Sequence, residues 1–309
     1  MMKTVLGTGL SKEVLSFLLK THPNLTQKQA EAWMKNRFNP ERWYGLMEDG
    51  QLLAGVQMES VPFVFDGKTI DVLFLRMISI LPDEEHSEKD LFESLMRFAL
   101  KTASLSSPLI FVSTSLEGQK VFEDLGFMRV QTRTQAFITD LAFQAPNAYS
   151  IAKWDGKTDL WPLFQAFKRL FDTSPFVSRQ QFENCLKQAR QSGFDVLCAL
   201  DSQGAPAAMA IVKSGKKPVL GQLIYTDPAA ILDLLEYAIQ TYGPMLVQVS
   251  GSENMEALTG TPFEACQSLM VSMPDPSVIS RWISQPVEST ADFFALSNRP
   301  GWNGFGSLL

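Results

Sequence analysis

A long apolar stretch of the chain leads directly into an acidic loop. Residues 72–81 read VLFLRMISIL, which is typical of a central strand covered on both faces. The next segment, residues 82–90, contains five acids and no glycine. From residue 91 onward, apolar side chains recur at helical spacing. The pattern predicts a buried strand, an acidic loop and an amphipathic helix that packs on the sheet.

The same order of elements occurs twice along the chain. In the first half, two helices precede a three-stranded meander with Asp-Gly turns, and a helix and a strand follow. After a linker at residues 142–150, two helices, three strands, a helix and a strand come again. This repeat predicts a duplicated α/β unit rather than a short-period solenoid. We expect domains at residues 1–145 and 146–275, followed by a C-terminal arm at residues 276–309.

Short polar side chains mark several of the predicted helix starts. Such residues cap a helix because their side-chain oxygens accept hydrogen bonds from its first amides. Gln181 lies three residues after one of them, which predicts a reciprocal capping box there. The predicted N-caps are Ser11, Thr26, Ser178 and Asp227.

The composition is that of a globular protein and argues against some functions. Of the 309 residues, 45% are hydrophobic and 19% are charged, which is enough apolar material for buried cores. The net charge of −6 and the lack of a basic stripe argue against nucleic-acid binding, which depends on clustered Lys and Arg. No apolar run approaches the ~20 residues that a membrane helix needs, and no signal segment is visible. We expect a cytoplasmic protein with neither nucleic-acid nor membrane partners.

The cysteines and histidines offer little metal or nucleophile chemistry. Cys185, Cys198 and Cys266 lie far apart among apolar neighbours, which favours reduced core cysteines. His22 and His86 are too few for a zinc site of the common kinds. We therefore expect no metal site and no thiol nucleophile, and we expect His86 to be solvated in the acidic loop.

The strand, loop and helix at residues 72–100 resemble the acetyl-CoA junction of GNAT-type N-acetyltransferases. In that family a Pro after the strand precedes Arg/Gln-x-x-Gly-Ile/Leu-x-x-x-Leu-Leu/Met. Here Pro82 follows the strand, and Leu91, Leu95 and Met96 fall on the aliphatic positions. The segment VFEDLGFMRV, residues 121–130, is similar to the family's later aliphatic-Tyr-x-x-x-Gly-Phe segment.

The second half, with GQLIYTDPAAILDLLEYAI, resembles the second domain of tandem acetyltransferases of the enhanced-intracellular-survival (Eis) type. The likeness covers roughly residues 1–275. It implies an α/β (α+β) fold of two tandem GNAT-like domains, each with a mixed, mostly antiparallel central sheet flanked by helices. It also implies acetyl-CoA as the acyl donor and a small-molecule or peptide amine as the acceptor. The second domain would be structural or would shape the substrate site, and a homo-oligomer stays open.

Three departures separate this sequence from the family pattern. The Arg/Gln and Gly positions fall on Ser87 and Asp90, and two extra residues separate Pro82 from Ser87. The Tyr that serves as general acid in Eis-type enzymes falls on Phe122, which has no proton to donate. We also expect no counterpart of the sterol-carrier-like domain whose terminal carboxylate joins the active site in those enzymes.

The acidic loop suits its own helix better than it suits a phosphate. Ser87 is expected to cap the helix with Asp90 as its capping-box partner, and first-turn acids favour the helix dipole by ~0.3–1 kcal/mol each. A pyrophosphate near Glu88 and Asp90 would meet like charge, about 4 kcal/mol for one pair at ~4 Å and an effective dielectric of ~20. Lys89 offsets only part of this. If the cofactor binds as in the family, the expected contacts are Ile78, Ser79, Ile80, Ser87, Glu88, Lys89, Asp90 and Leu91.

Direct acetyl transfer needs a base, a polarised thioester carbonyl and an acid for the leaving thiolate. The family resemblance implies that a backbone amide near Ile78–Ile80 polarises the carbonyl. Glu59 and Asp71 are candidate bases, and the alternative is that they are exposed strand-end or hairpin carboxylates. Arg76 interrupts the apolar strand as either a pocket residue, which we favour, or a buried ion-pair partner. The terminal carboxylate of Leu309 is a further candidate for the catalytic site.

Two classes of function follow from the sequence. The first is an acetyl-CoA-dependent N-acetyltransferase that transfers directly to an amine and has an unusual cofactor loop. The second is a catalytically inactive acetyltransferase fold kept as a binding or regulatory protein, which the loss of the loop glycine and of the tyrosine favours. A different acyl-CoA, or a pantetheine-only donor, would avoid the pyrophosphate problem.

Overall fold

The structure is a computed structural model that describes residues 2–65, 67–171, 173–175 and 177–296. The chain folds into two compact units. The described parts of the first unit are residues 2–61, 71–113 and 271–290. The described parts of the second unit are residues 62–65, 67–70, 114–171, 173–175, 177–270 and 291–296.

A mixed sheet flanked by helices forms the first unit. Its strands, in sheet order, are β1 (Lys3–Leu6), β2 (Trp43–Glu48), β3 (Gln51–Phe65), β4 (Lys68–Ile80) and β5 (Ile110–Ser115). Residues 62–65 of β3 and 68–70 of β4 are counted with the second unit. Its helices are α1 (Ser11–Thr21), α2 (Gln27–Asn36), α3 (Glu88–Ser104) and, near the end of the chain, α9 (Pro276–Ile283). Pairing is antiparallel between β1 and β2 and between β2 and β3, and it is parallel between β4 and β5.

The second unit repeats this plan. Its strands are β6 (Met128–Ile138), β7 (Ser150–Lys153), β8 (Thr173–Pro175), β9 (Asp195–Leu200), β10 (Pro206–Lys213), β11 (Val219–Tyr225), β12 (Met245–Ser250) and β13 (Glu264–Ser272). Its helices are α4 (Leu116–Asp124), α5 (Trp161–Lys168), α6 (Arg179–Gln191), α7 (Pro228–Tyr242), α8 (Met255–Thr259) and α10 (Thr290–Ala295). The sheet order is β13-β6-β12-β11-β10-β9-β7, and β8 pairs with the tip of β3.

The duplicated order of elements that the sequence predicts is confirmed. In each unit two helices precede three antiparallel strands, and a helix then crosses to a strand that lies parallel to the last of them. Residues Val72–Leu75 of β4 are buried, as the apolar run predicts for a central strand. In the second unit, separate apolar clusters involve α7 and the pair α5 and α6. Helices cover both faces of such a sheet.

A tryptophan core fixes α1 against the first sheet. Trp43 is fully buried, and its indole lies over Gly45 and Gly55, which face each other across β2 and β3. A Cβ at Gly55 would lie 2.2 Å from the indole, so only glycine leaves room there. The Phe17 ring of α1 meets the indole edge-on with 6.5 Å between centroids. This packing positions the C-terminal end of α1, where His22 lies.

Most of the predicted helix starts are correct. Thr26 and Ser178 each form a full capping box, and Asp227 accepts a hydrogen bond from the Ala229 amide. The prediction for Ser11 is wrong, because Ser11 is already the first helical residue and the capping position is Leu10, whose side chain cannot accept a hydrogen bond. Asp49-Gly50 forms the predicted turn with both residues at positive φ, and Asp66 of the second predicted turn lies outside the described residues.

Candidate active site

The parallel strands β4 and β5 part before either strand ends. They pair at Leu73 with Ile110, at Phe74 with Phe111 and at Leu75 with Val112. No ladder pair follows, although β4 continues to Ile80 and β5 to Ser115. We call this opening the first fork. The backbone edge of β4 beyond Leu75 is therefore not paired with β5.

A backbone irregularity lies inside the first fork. Met77, two positions after the last paired residue, has a φ of 49°, in the left-handed region that side chains other than glycine rarely adopt. A non-glycine residue in this conformation costs on the order of 1–3 kcal/mol and persists where the surrounding structure determines it. Such strain concentrates at functional sites. Met77 therefore marks the fork as a candidate site.

A histidine–serine contact lies beside this irregularity. The Nε2 atom of His22, at the end of α1, is 2.8 Å from the Oγ atom of Ser79 on β4. Ser79 is buried, and its hydroxyl also lies 3.1 Å from the carbonyl oxygen of Met77. Partial burial lowers the pKa of His22 below its ordinary value. At neutral pH the imidazole is therefore uncharged and able to accept a proton.

Sequence reasoning missed the pairing of His22 with Ser79. The two residues are 57 positions apart, and neither lies in a recognisable catalytic motif. The expected contacts Ile78, Ser79 and Ile80 all lie in the unpaired part of β4, so the structure brings this group of predicted residues to the fork. His22 joins them only through the packing of α1.

The predicted bases Glu59 and Asp71 lie in different places. The Oε2 atom of Glu59 is 3.3 Å from Nε of Arg76, and the Arg76 guanidinium lies 4.8 Å from the centre of the Phe74 ring. Burial lowers the pKa of Arg76, while Glu59 raises it and Arg37 adds to the lowering. Arg76 is thus paired with Glu59, and its role as a pocket residue stays a prediction. Asp71 is exposed near the start of β4. It precedes Leu75 by about 13 Å along the strand.

The acidic loop is organised by its own hydrogen bonds. The Oδ1 atom of Asp83 accepts bonds from the amides of Glu85 and His86 and lies 3.0 Å from the His86 Nδ1 atom. The Nε2 atom of His86 is 3.2 Å from Glu48 on β2. The expectation of a solvated His86 is wrong, because its ring ties the loop to the sheet. Glu48, Glu85 and His86 place three ligand-type atoms within 4.8 Å of one another, all in exposed or half-buried positions.

The start of α3 is self-capped, as the sequence predicts. Ser87 accepts a hydrogen bond from the Asp90 amide at 3.2 Å. The reciprocal contact differs from a capping box, because the Ser87 hydroxyl donates to Asp90 Oδ2 at 2.6 Å. The amides of Glu88 and Lys89 have no intrahelical acceptor at a helix start, and Leu91 is buried on the core side. Lys89 lies 3.8 Å from Glu93.

The remaining predicted residues lie outside the first fork or outside the described chain. Phe122 is buried in the second unit, and its ring meets Phe127 edge-on at 5.5 Å. Leu309 lies outside the described residues.

Cys198 is buried, and burial raises the pKa of its thiol to about 12, so it is protonated at neutral pH. None of the described helices is both long and apolar enough to cross a membrane.

Comparison with known proteins identifies the fold through structure. No protein-family model matches the chain, and no curated protein sequence matches it. A GCN5-related N-acetyltransferase from Kribbella flavida superposes with a TM-score of 0.64 at 14% identity, over 91% of this chain and 74% of that one. Eis1 from Mycobacterium abscessus gives a TM-score of 0.59 at 12% identity, over 91% and 76%. A tandem GNAT protein from the clavulanic acid biosynthesis pathway gives 0.54 at 12%, over 89% and 99%.

At these identities the likeness concerns the fold and not the activity. It covers both units of the chain, and it includes structures of the tandem and Eis kinds. The chain therefore has the tandem, Eis-like GNAT fold that its sequence predicts.

Proposed function

We propose that this chain is an acyl-CoA-dependent N-acyltransferase whose reaction takes place at the first fork. The observation that carries the proposal is the contact between His22 and Ser79 beside Met77, where β4 leaves β5. Fold neighbours named as N-acetyltransferases support acyl transfer in general. Acetyl-CoA is the donor and an amine the acceptor that the sequence resemblance favours. The cytoplasmic location stays a prediction.

The open edge of β4 provides a place for an extended thioester arm. Because β5 makes no ladder bond beyond Leu75, backbone groups on that edge are available to a ligand that adds like a strand. An amide near Ile78–Ile80 would donate to the thioester carbonyl oxygen. Such a donor stabilises the negative charge that develops on this oxygen when the amine attacks.

His22 supplies the proton transfers in this proposal. The neutral amine forms a bond to the acyl carbon and passes a proton to the uncharged imidazole. The carbon–sulfur bond then breaks, and the same proton goes to the departing thiolate, which leaves as free CoA. One side chain thus serves as base and then as acid. The tyrosine that Phe122 replaces is not required.

Cofactor binding is the experiment that tests the proposal. Thermal unfolding is measured with acetyl-CoA, with free CoA and with ATP, at low and at moderate salt. Acetyl-CoA at about a hundred times its dissociation constant stabilises the folded state by ~2.7 kcal/mol, which raises the midpoint by several degrees. We expect a rise with both CoA species that survives moderate salt. No rise at millimolar CoA contradicts the proposal.

The catalytically inactive alternative has its own supporting observations. The start of α3 is occupied by the Ser87–Asp90 pair, and Phe122 is a core residue. The two functions differ in the release of CoA thiol when acetyl-CoA is mixed with a panel of primary amines. Binding without thiol release from any amine favours the alternative. Amine-dependent release supports the transferase.

A further inference from the structure

The second unit contains a fork of the same construction. The parallel strands β11 and β12 pair at Val219 with Leu246 and at Leu220 with Val247, and they then part. Beyond these pairs β11 continues to Tyr225 and β12 to Ser250. The left-handed residue again lies two positions after the last pair, at Gln222, whose φ is 53°. We call this opening the second fork.

A tyrosine and a glutamate join the two sides of the second fork. The Tyr225 hydroxyl, at the end of β11, hydrogen-bonds the carboxylate of Glu253, which lies just after the end of β12. The Tyr225 ring packs on Phe167 of α5 with 5.4 Å between centroids. This bond therefore closes the mouth of the fork at the carboxyl ends of its strands. Crevices at the carboxyl ends of parallel strands are common ligand sites in α/β proteins.

One oxygen of Glu253 has no partner. Its Oε2 atom is enclosed and makes no hydrogen bond within the described part of the chain. An ionised carboxylate is an acceptor that needs donors on both oxygens when it is buried. Burial raises the pKa of Glu253 to about 7, and the Tyr225 hydroxyl opposes this increase. The Oε2 atom of Glu253 therefore lacks a donor. A cationic donor would supply the missing hydrogen bond and would also balance the negative charge of the carboxylate.

We propose that the second fork is a binding site for a small molecule with a primary ammonium group, held by Glu253 Oε2 and by the oxygen of Tyr225. An ammonium fits because it has only donors and carries the charge that an enclosed carboxylate lacks. Entry requires the strand ends to move apart. No ladder bond joins β11 to β12 beyond Leu220 and Val247, so this movement breaks no pairing between these two strands.

The site is distinct from the proposed transferase chemistry. It uses residues of the second unit only, whereas His22 and Ser79 belong to the first. The sequence contains no motif for it, because Tyr225 and Glu253 lie on either side of α7. Failure of CoA binding would leave this proposal untouched, and failure of ammonium binding would leave the transferase proposal untouched.

The test measures binding of simple amines to the full chain at pH 7.5. The probes are n-propylammonium and putrescine, and n-propanol and propionate at matched ionic strength are the neutral and anionic controls. We expect saturable binding of the ammonium compounds alone in calorimetric titration. Loss of one charge-assisted hydrogen bond weakens binding by roughly 10- to 100-fold. We therefore expect this loss of affinity in Glu253→Gln.

Glu256→Gln is the matched control, since Glu256 lies three residues away, is exposed and belongs to α8. It should bind the ammonium probes as the unchanged chain does. Circular dichroism establishes that both variants are folded. Binding that is absent in the unchanged chain, that persists undiminished in Glu253→Gln, or that is lost equally in Glu256→Gln overturns the proposal.

Discussion

The two forks have the same backbone and different side chains. In each, a crossover helix joins two parallel strands whose pairing stops before either strand ends, and a left-handed residue follows two positions after the last pair. The first fork contains the polar pair His22–Ser79. In the second fork, Ile224 occupies the position that corresponds to Ser79, and Tyr225 and Glu253 form the polar pair.

This difference shows which features belong to the fold and which to the site. The left-handed residue is not glycine in either fork, so its conformation comes from the surrounding strands rather than from local preference. One member of each polar pair comes from an element outside the fork, namely the end of α1 in the first unit and the turn after β12 in the second. A duplicated backbone can therefore carry two different chemistries.

The largest expected effect is on catalysis at the first fork. Loss of a positioned acid–base group lowers rates by about 10²- to 10⁴-fold. We expect His22→Gln to reduce CoA release by that factor, with the unfolding midpoint and the acetyl-CoA affinity nearly unchanged. The measurement is the rate of thiol release at saturating donor and amine, and Glu256→Gln is the control. A rate in His22→Gln within about twofold of the original excludes His22 as the base.

The pH dependence of this reaction sharpens the assignment. Burial lowers the pKa of His22. Its imidazole therefore becomes protonated, and stops acting as a base, only at a pH below the ordinary pKa of histidine. We expect kcat/KM for a given amine to fall on this acidic side and expect that limb to disappear in His22→Gln. An unchanged acidic limb in the variant assigns the limb to another group.

The next effect concerns stability and singles out the second fork. Burial raises the pKa of Glu253 to about 7 from an ordinary 4.5. The protonated form of Glu253 is therefore favoured by folding. Its stabilisation of the folded state is complete below the pKa of the unfolded chain and is lost as pH rises through about 7. A shift of this size corresponds to ~3 kcal/mol. We expect Glu253→Gln to be more stable than the unchanged chain at pH 8.5, by up to ~3 kcal/mol, and to lose this advantage near pH 4.5.

Urea unfolding of the unchanged chain, Glu253→Gln and Glu256→Gln at the two pH values checks this expectation. Other titrating groups cancel in the difference between variants. Equal stability of the unchanged chain and Glu253→Gln at pH 8.5 contradicts an unpaired carboxylate in the folded state. The same result would also weaken the ammonium site, which depends on that unpaired oxygen.

The smallest effect tests whether the two forks share their strain. Glycine adopts positive φ readily and so relieves the backbone strain of the folded state. It also adds conformational entropy to the unfolded chain, and the two effects on stability partly cancel. We expect Met77→Gly and Gln222→Gly each to change stability by less than ~1 kcal/mol. Leu75→Gly, at a buried extended position, should lose more than ~2 kcal/mol. Thermal unfolding of the three variants makes the comparison, and a loss at Met77 as large as that at Leu75 disproves the strain.

Local signals in the sequence predicted much of the fold. The capping box of Ser178 and Gln181 depends on residues three positions apart, and the Asp49-Gly50 turn on adjacent residues. The apolar run of β4 identifies a central strand because burial on both faces excludes polar positions. Even the self-capped start of α3 follows from Ser87 and Asp90 alone. These features could be predicted because the interacting groups are close neighbours along the chain.

The candidate sites could be predicted only in part. Ile78–Ile80 were expected from the family resemblance, and they lie on β4 at the first fork. His22 and Ser79 come together because Trp43, packed over Gly45 and Gly55, fixes α1 on the sheet. His86 is held by Glu48, and the strands β3 and β4 lie between these two residues along the chain. No local pattern encodes such contacts.

The sequence by itself determined the duplicated α/β order, the position of the buried strand and the capped, acidic start of α3. Only the tertiary structure decided where the parallel strands part, which residues take left-handed φ values, and which polar side chains meet there. The physical reason is the range of the interactions. Hydrophobic periodicity and capping act over a few residues, whereas strand register and side-chain packing join segments that are distant along the chain.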